Sequence, residues 1–213
     1  MNREPELAVL AESVRHTLAD AHAAREVALA ACRSTIRACS NSIRAVHRRD
    51  DEGAAELADE AAIHLHRAQD ALRPHPRLAG AGPLHDAEKE YAEARLTACL
   101  VGDDPLPSPT QLGVPCAAWL CGLAEAASEL RRYLLDRLRD GEVARGEELL
   151  AAMDDAYGIL ITVDFPDAVT GGLRRATDAL RAVLERTRGD LTTTVLQHRL
   201  QQSLDSRTPT TDA

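Results

Sequence analysis

An all-α fold, a bundle of six to seven helices with a long N-terminal helix, is predicted by three observations. Alanine (38) and leucine (29) dominate the 213 residues, and only five are aromatic (Tyr91, Trp119, Tyr133, Tyr157 and Phe165), a composition that favours helix over strand. Apolar residues recur at helical rather than alternating spacing. Long stretches without Gly or Pro are separated by short breaks rich in both, and packing the apolar faces of such helices gives a bundle.

The first helix is predicted from residue 5 to about 49, where no Gly or Pro follows Pro5 and the period runs from Leu7, Leu10, Val14 and Leu18 to Cys32, Ile36, Cys39, Ile43 and Val46. One long helix, or two nearly collinear ones, satisfies it. DDEG at 50–53 punctuates the chain before a second helix at about 54–72, which stops before Pro74 and Pro76. RPHPRLAGAGP reads as a loop, and a third helix runs from about Leu84 to Val101. GDDPLPSPTQLGVP is the next break, and Pro115 suits the first turn of a fourth helix reaching about Arg139. Gly141 separates a fifth helix near 142–162, DFPDAVTGG at 164–172 follows, and one or two closing helices complete a single domain over 1–205. Residues 206–213 read as a disordered polar tail.

The 25 Lys and Arg against 34 Asp and Glu give a formal charge of −9, which excludes a generally basic nucleic-acid binder. No window approaches the ~18 consecutive apolar residues of a membrane span, and the N-terminus lacks the basic-then-apolar layout of a signal peptide. The expectation is a cytoplasmic protein without a membrane partner. The five cysteines (32, 39, 99, 116 and 121) form no CxxC or CxxH; they suggest neither a disulfide framework nor a thiolate zinc site and read as small core residues. Lys89 is the only lysine among the 25 cations.

Two pairs of carboxylates carry the chemical signal. Glu90 and Glu93 lie three apart on the third helix, within about 60° of one another. Glu125 and Glu129 lie four apart on the fourth, opposite the apolar stripe of Cys116, Leu120, Leu123, Ala127, Leu130 and Leu134. If the two helices pack side by side, four carboxylates converge, an all-oxygen donor set of the kind hard Mg²⁺ or Mn²⁺ prefers. Such ions activate water and stabilise a pentavalent phosphate. Acidic pairs at these spacings also occur on solvated helix faces. A di-iron bundle requires Glu-x-x-His, which occurs nowhere in the chain.

On the first helix Arg33, Arg37, Arg44 and Arg48 fall within about 60° of one another, apart from the apolar stripe. Arginine's planar fork suits phosphate, so the stripe reads as a track for a nucleic-acid backbone without base specificity; a solvated face neutralised by neighbouring acids is the alternative. His64, His66, Arg67 and His85 form a second polar set able to approach RNA. Histidines two apart do not share a helix face, so His64 and His66 are not read as a metal site.

Three segments, HDAEKEYAEA (85–94), GLAEAASELRR (122–132) and CRSTIRACSNSIRAVHR (32–48), resemble the translin and translin-associated factor X (Trax) family. The third is similar to the family's first-helix motif through Arg33, Ile43, His47 and Arg48, and DFPDAVTGGLRRATDALRAVLERTRGDL resembles the closing part of an archaeal translin-like chain. The resemblance spans about 25–200. It implies a Trax-type endoribonuclease for single-stranded RNA, small RNAs or tRNA precursors, in which Glu90, Glu93, Glu125 and Glu129 hold Mg²⁺ (or Mn²⁺). Glu125 stands where the family has Asp, one methylene longer. The resemblance also implies a homo-oligomer, an octameric shell with acidic sites facing its cavity. The alternatives are a non-catalytic shell binding single-stranded RNA or DNA, as translin-type subunits do, and a helical adaptor for other proteins.

Overall fold

The computed structural model describes residues 2–79 and 82–206. Among the described residues it holds nine helices and no strand: α1 (Glu4–His47), α2 (Asp51–Leu72), α3 (Pro76–Ala79), α4 (Pro83–Gly102), α5 (Pro109–Leu112), α6 (Cys116–Arg139), α7 (Val143–Leu160), α8 (Asp167–Thr170) and α9 (Leu173–Asp205). Six are long, as expected. The three four-residue helices lie inside segments predicted as loops and start at or just after Pro76, Pro109 and Pro166. Proline's fixed φ suits a first turn, but a single turn is too short to leave a periodicity.

The helix ends differ from the sequence expectation for local reasons. Asp50 caps α2, its carboxylate accepting from the Gly53 amide at 3.1 Å. DDEG is therefore the start of α2, with Asp51 and Glu52 in a first turn whose dipole favours acids. Pro115 is the N-cap of α6 in extended conformation rather than its first residue. The closing segment is one helix, running through Gly189. Of the predicted tail, Ser206 forms the C-cap of α9 and 207–213 lie outside the described residues.

α1 packs along α2 and against α4, α4 packs along α6, and α6 also meets α7 and α9. The first core joins α1, α2, α4 and α6 through Cys39, Leu65, Ala87, Ala92, Leu96 and Ala124 among others; a second joins α6, α7 and α9 through Leu130, Leu134, Leu149, Met153 and Leu184. Fully buried alanines on both α4 and α6 (Ala87, Ala92, Ala94, Ala118, Ala126 and Ala127) let these two backbones approach. The only tryptophan, Trp119, donates its indole N–H to the Pro107 carbonyl at 2.9 Å and pins the 103–115 connection to α6.

Two expectations about burial are corrected. Cys32, Cys39 and Cys121 are buried, and burial pushes the Cys39 thiol up to about 12; but Cys99 is half-buried and Cys116 is exposed at the start of α6. The apolar stripe of α1 divides as well. Its C-terminal half is core, whereas the first buried residue is Ala28, and Leu7, Leu10, Val14 and Leu18 are exposed. Among the described residues, no helix is long and apolar enough to cross a membrane.

Candidate metal centre

The acidic site forms where α4 and α6 come closest. Gly122 is the contact point: a Cβ there would lie 2.7 Å from Ala92 Cβ and 2.9 Å from both the Glu93 amide nitrogen and the Lys89 carbonyl oxygen. One turn from this contact, oxygens of Glu90, Glu93 and Glu125 lie within 4.8 Å of one another. Glu93 is 8% exposed, and the other two are half-buried. The α6 face carrying Glu125 and Glu129, opposite the apolar stripe, meets α4 through Lys89 and the end of α1 through His47.

Carboxylates this close and this dry resist ionisation together. Burial first, then the charges of Glu125, Glu90 and Glu129, push the Glu93 carboxyl up to about 9, with Lys89 pulling the other way. Burial also raises Glu90, although Lys89 opposes it. The fold therefore binds these protons more tightly than the unfolded chain, and the stability they confer is lost as pH rises from the ordinary carboxyl range through about 9. Metal-free protein is expected to melt at a lower temperature at pH 9 than at pH 6, and Mn²⁺ to reverse the difference; a thermal melt followed by circular dichroism measures both.

Two side chains complete the site, and spacing on one helix did not reveal either. Lys89 Nζ donates to Glu125 Oε1 at 2.8 Å and lies 3.7 Å from Glu90 Oε1. Burial works against its ammonium, but the Glu125 hydrogen bond and the nearby acids outweigh this and raise its pKa. His47, at the end of α1, meets Glu129 Oε2 through Nε2 at 2.9 Å. This contact holds Glu129 below the usual carboxylate range despite its burial. Glu129 is thus engaged by His47 and stands outside the three-carboxylate group, although its charge reaches Glu93. The His47 side chain is 3% exposed, and its Nδ1 is buried without a hydrogen-bond partner among the described residues.

No protein-family model matches the chain. It is 29% identical over 192 residues to an uncharacterized protein of Methanocaldococcus jannaschii, covering 88% of this chain and 83% of that one. Among solved structures, AfC3PO is 31% identical with a TM-score of 0.80, covering 87% of this chain and 97% of that one. AfC3PO in a complex with duplex RNA is 30% identical with a TM-score of 0.79, covering 87% and 96%. The chain belongs to the translin/C3PO family. The fold extends to apo-NeC3PO, at a TM-score of 0.77 and 17% identity over 91% of this chain.

In this translin/C3PO protein the arginine stripe lies open. Arg33, Arg37, Arg44 and Arg48 are all exposed, Arg44 donates to Asn41 at 3.0 Å, and none of the four has a carboxylate within ion-pair distance among the described residues. Arg44 and Arg48 flank His47, so the stripe runs along α1 toward the acidic cluster. The second polar set draws on two helices, α2 and α4. His64 lies 3.6 Å from Glu60, His66 and Arg67 are exposed on α2, and His85 is half-buried, with Nε2 shut in beside Gly171 and without a partner among the described residues.

Proposed function

We propose that this chain is a divalent-metal-dependent endoribonuclease of the translin/C3PO family, with Glu90, Glu93, Glu125 and Glu129 as its acidic site. The observation that carries the reading is the gathering of three carboxylates from two helices within 4.8 Å, in a setting dry enough to push one of them up to about 9. Such a set wants a cation, and its all-oxygen chemistry fits Mg²⁺ or Mn²⁺. When bound, that ion supplies water activation and charge neutralisation at the phosphodiester.

The chain's own residues divide the remaining work. Glu90, Glu93 and Glu125 would hold the ion, and Gly122 keeps their helices close. Glu129, kept ionised by His47, adds a fixed negative charge at the edge of the set. Arg33, Arg37, Arg44 and Arg48 bind the RNA backbone along α1, from which His47 reaches the acids. Three of these arginines replaced by Gln should weaken binding equally across RNA sequences and flatten its salt dependence by about two logarithmic slope units on a single strand. A filter-binding titration over salt concentration measures this.

Assembly belongs to the same reading. Leu7, Leu10, Val14 and Leu18 form an exposed apolar stripe on α1, and Leu196, Leu200 and Leu204 another on α9. Faces of this kind suit further copies of the chain, in keeping with a homo-oligomeric shell. Enclosure would also reconcile a −9 chain with RNA, which would meet the arginine stripe inside rather than the acidic exterior.

A second reading is a non-catalytic shell that binds single-stranded RNA or DNA, and Lys89 favours it because its ammonium already neutralises part of the acidic set. The deciding experiment incubates purified protein with labelled single-stranded RNA, and with duplex RNA as in the AfC3PO complex, in Mg²⁺, Mn²⁺ or EDTA. Cleavage that requires metal supports the nuclease; tight binding without cleavage in either metal overturns it in favour of the shell.

A further inference from the structure

Lys89 is out of character with the rest of the chain. It is the only lysine among 25 cationic residues, and it lies next in sequence to Glu90, a spacing at which helical side chains do not face each other. Its flexible stem nevertheless brings Nζ to 2.8 Å from Glu125 and 3.7 Å from Glu90, and the side chain is only 22% exposed. Two of the three clustered carboxylates are thus bridged by a charge supplied from within the chain.

The choice of cation matters. A guanidinium would bind a carboxylate through a rigid fork with two parallel hydrogen bonds and would be hard to displace. An ammonium is a compact, strongly hydrated point charge on a flexible stem. It can neutralise the acids while they stand alone and swing away when a doubly charged ion takes its place.

We propose that Lys89 is a resident counter-cation that occupies the acidic cluster in the metal-free protein and competes directly with the divalent ion. The inference rests on the metal-site reading above. Lys89 sets how much free metal is needed to load the site: entry of the ion breaks the Lys89–Glu125 and Lys89–Glu90 pairs, and the ammonium leaves the carboxylate oxygens to the metal. Without Lys89 the acids repel one another until metal arrives, so the metal-free fold is weaker and the metal-loaded one more strongly favoured.

Mn²⁺ titration of the intact protein, with free Mn²⁺ read by electron paramagnetic resonance, tests this without reference to catalysis. Lys89→Gln is expected to bind Mn²⁺ at least about tenfold more tightly than wild type, with Glu93→Gln as the binding-deficient reference. Lys89→Arg, which keeps the positive charge, should bind no more tightly than wild type. Metal-free Lys89→Gln should melt at a lower temperature than wild type, and saturating Mn²⁺ should restore it, a pattern that loss of packing alone does not produce. Equal or weaker Mn²⁺ binding by Lys89→Gln overturns the role of Lys89 and leaves the metal site standing. Absence of Mn²⁺ binding in wild type and Lys89→Gln alike overturns the metal site and this inference together.

Discussion

Glu93→Gln is expected to lower metal-dependent RNA cleavage by more than about a hundredfold, since even partners outside the ligand shell cost 10–100-fold in metal affinity or activity. The fold should survive the change. Glu93 is the most deeply buried of the clustered acids, and its carboxyl is pushed up to about 9, so in metal-free protein near neutral pH it is largely neutral. Gln has nearly the same shape and cannot ionise. The variant should therefore lose much of the wild type's alkaline destabilisation while no longer offering the ion a buried anion. Cleavage assays in Mn²⁺ beside thermal melts at pH 6 and pH 9 read both halves. Full cleavage by the variant would remove Glu93 from the site.

Gly122→Leu should remove activity by a different route, by separating the two helices that carry the acids. The added Cβ meets the Glu93 nitrogen and the Lys89 carbonyl oxygen at 2.9 Å, and these are backbone atoms that cannot rotate away. Replacing Gly in a helix interior ordinarily gains up to about 1 kcal/mol in propensity. Overpacking at a close helix crossing costs typically 1–3 kcal/mol, and the remaining leucine atoms have nowhere to go. A net loss of stability is expected together with loss of Mn²⁺ binding; urea denaturation and metal titration measure the two. A variant as stable as wild type that still binds Mn²⁺ would mean that α4 and α6 need not approach this closely.

The fold was legible wherever the chain speaks locally. The run from residue 6 to 52 without Gly or Pro announced α1, and spacing drew attention to the acids at 90, 93, 125 and 129, of which the first three come together. Legibility failed where the partner is remote. His47 and Glu129 are 82 positions apart, and no periodicity marks their contact, although His47 stood inside the segment that carried the family resemblance. Lys89 stands out in the sequence only as the sole lysine, and a helical wheel places it about 100° from Glu90; only a long side chain folding back closes that gap. The apolar residues at 7, 10, 14 and 18 predicted a buried stripe that the single chain leaves uncovered. Hydrophobic spacing reports that a face is to be covered, not which molecule covers it.

The bond from Trp119 to Pro107 also makes the protein its own optical instrument. A single indole means that red-edge emission comes from one place, and Trp119 stands six residues before Glu125 on α6, about 9 Å along the helix axis. Its N–H is tied to the 103–115 connection rather than to α6 itself. Any sliding of α6 against that connection changes the polarity and quenching felt by the ring, so movement at this joint can be followed in unlabelled protein, in real time, as a change in colour and intensity.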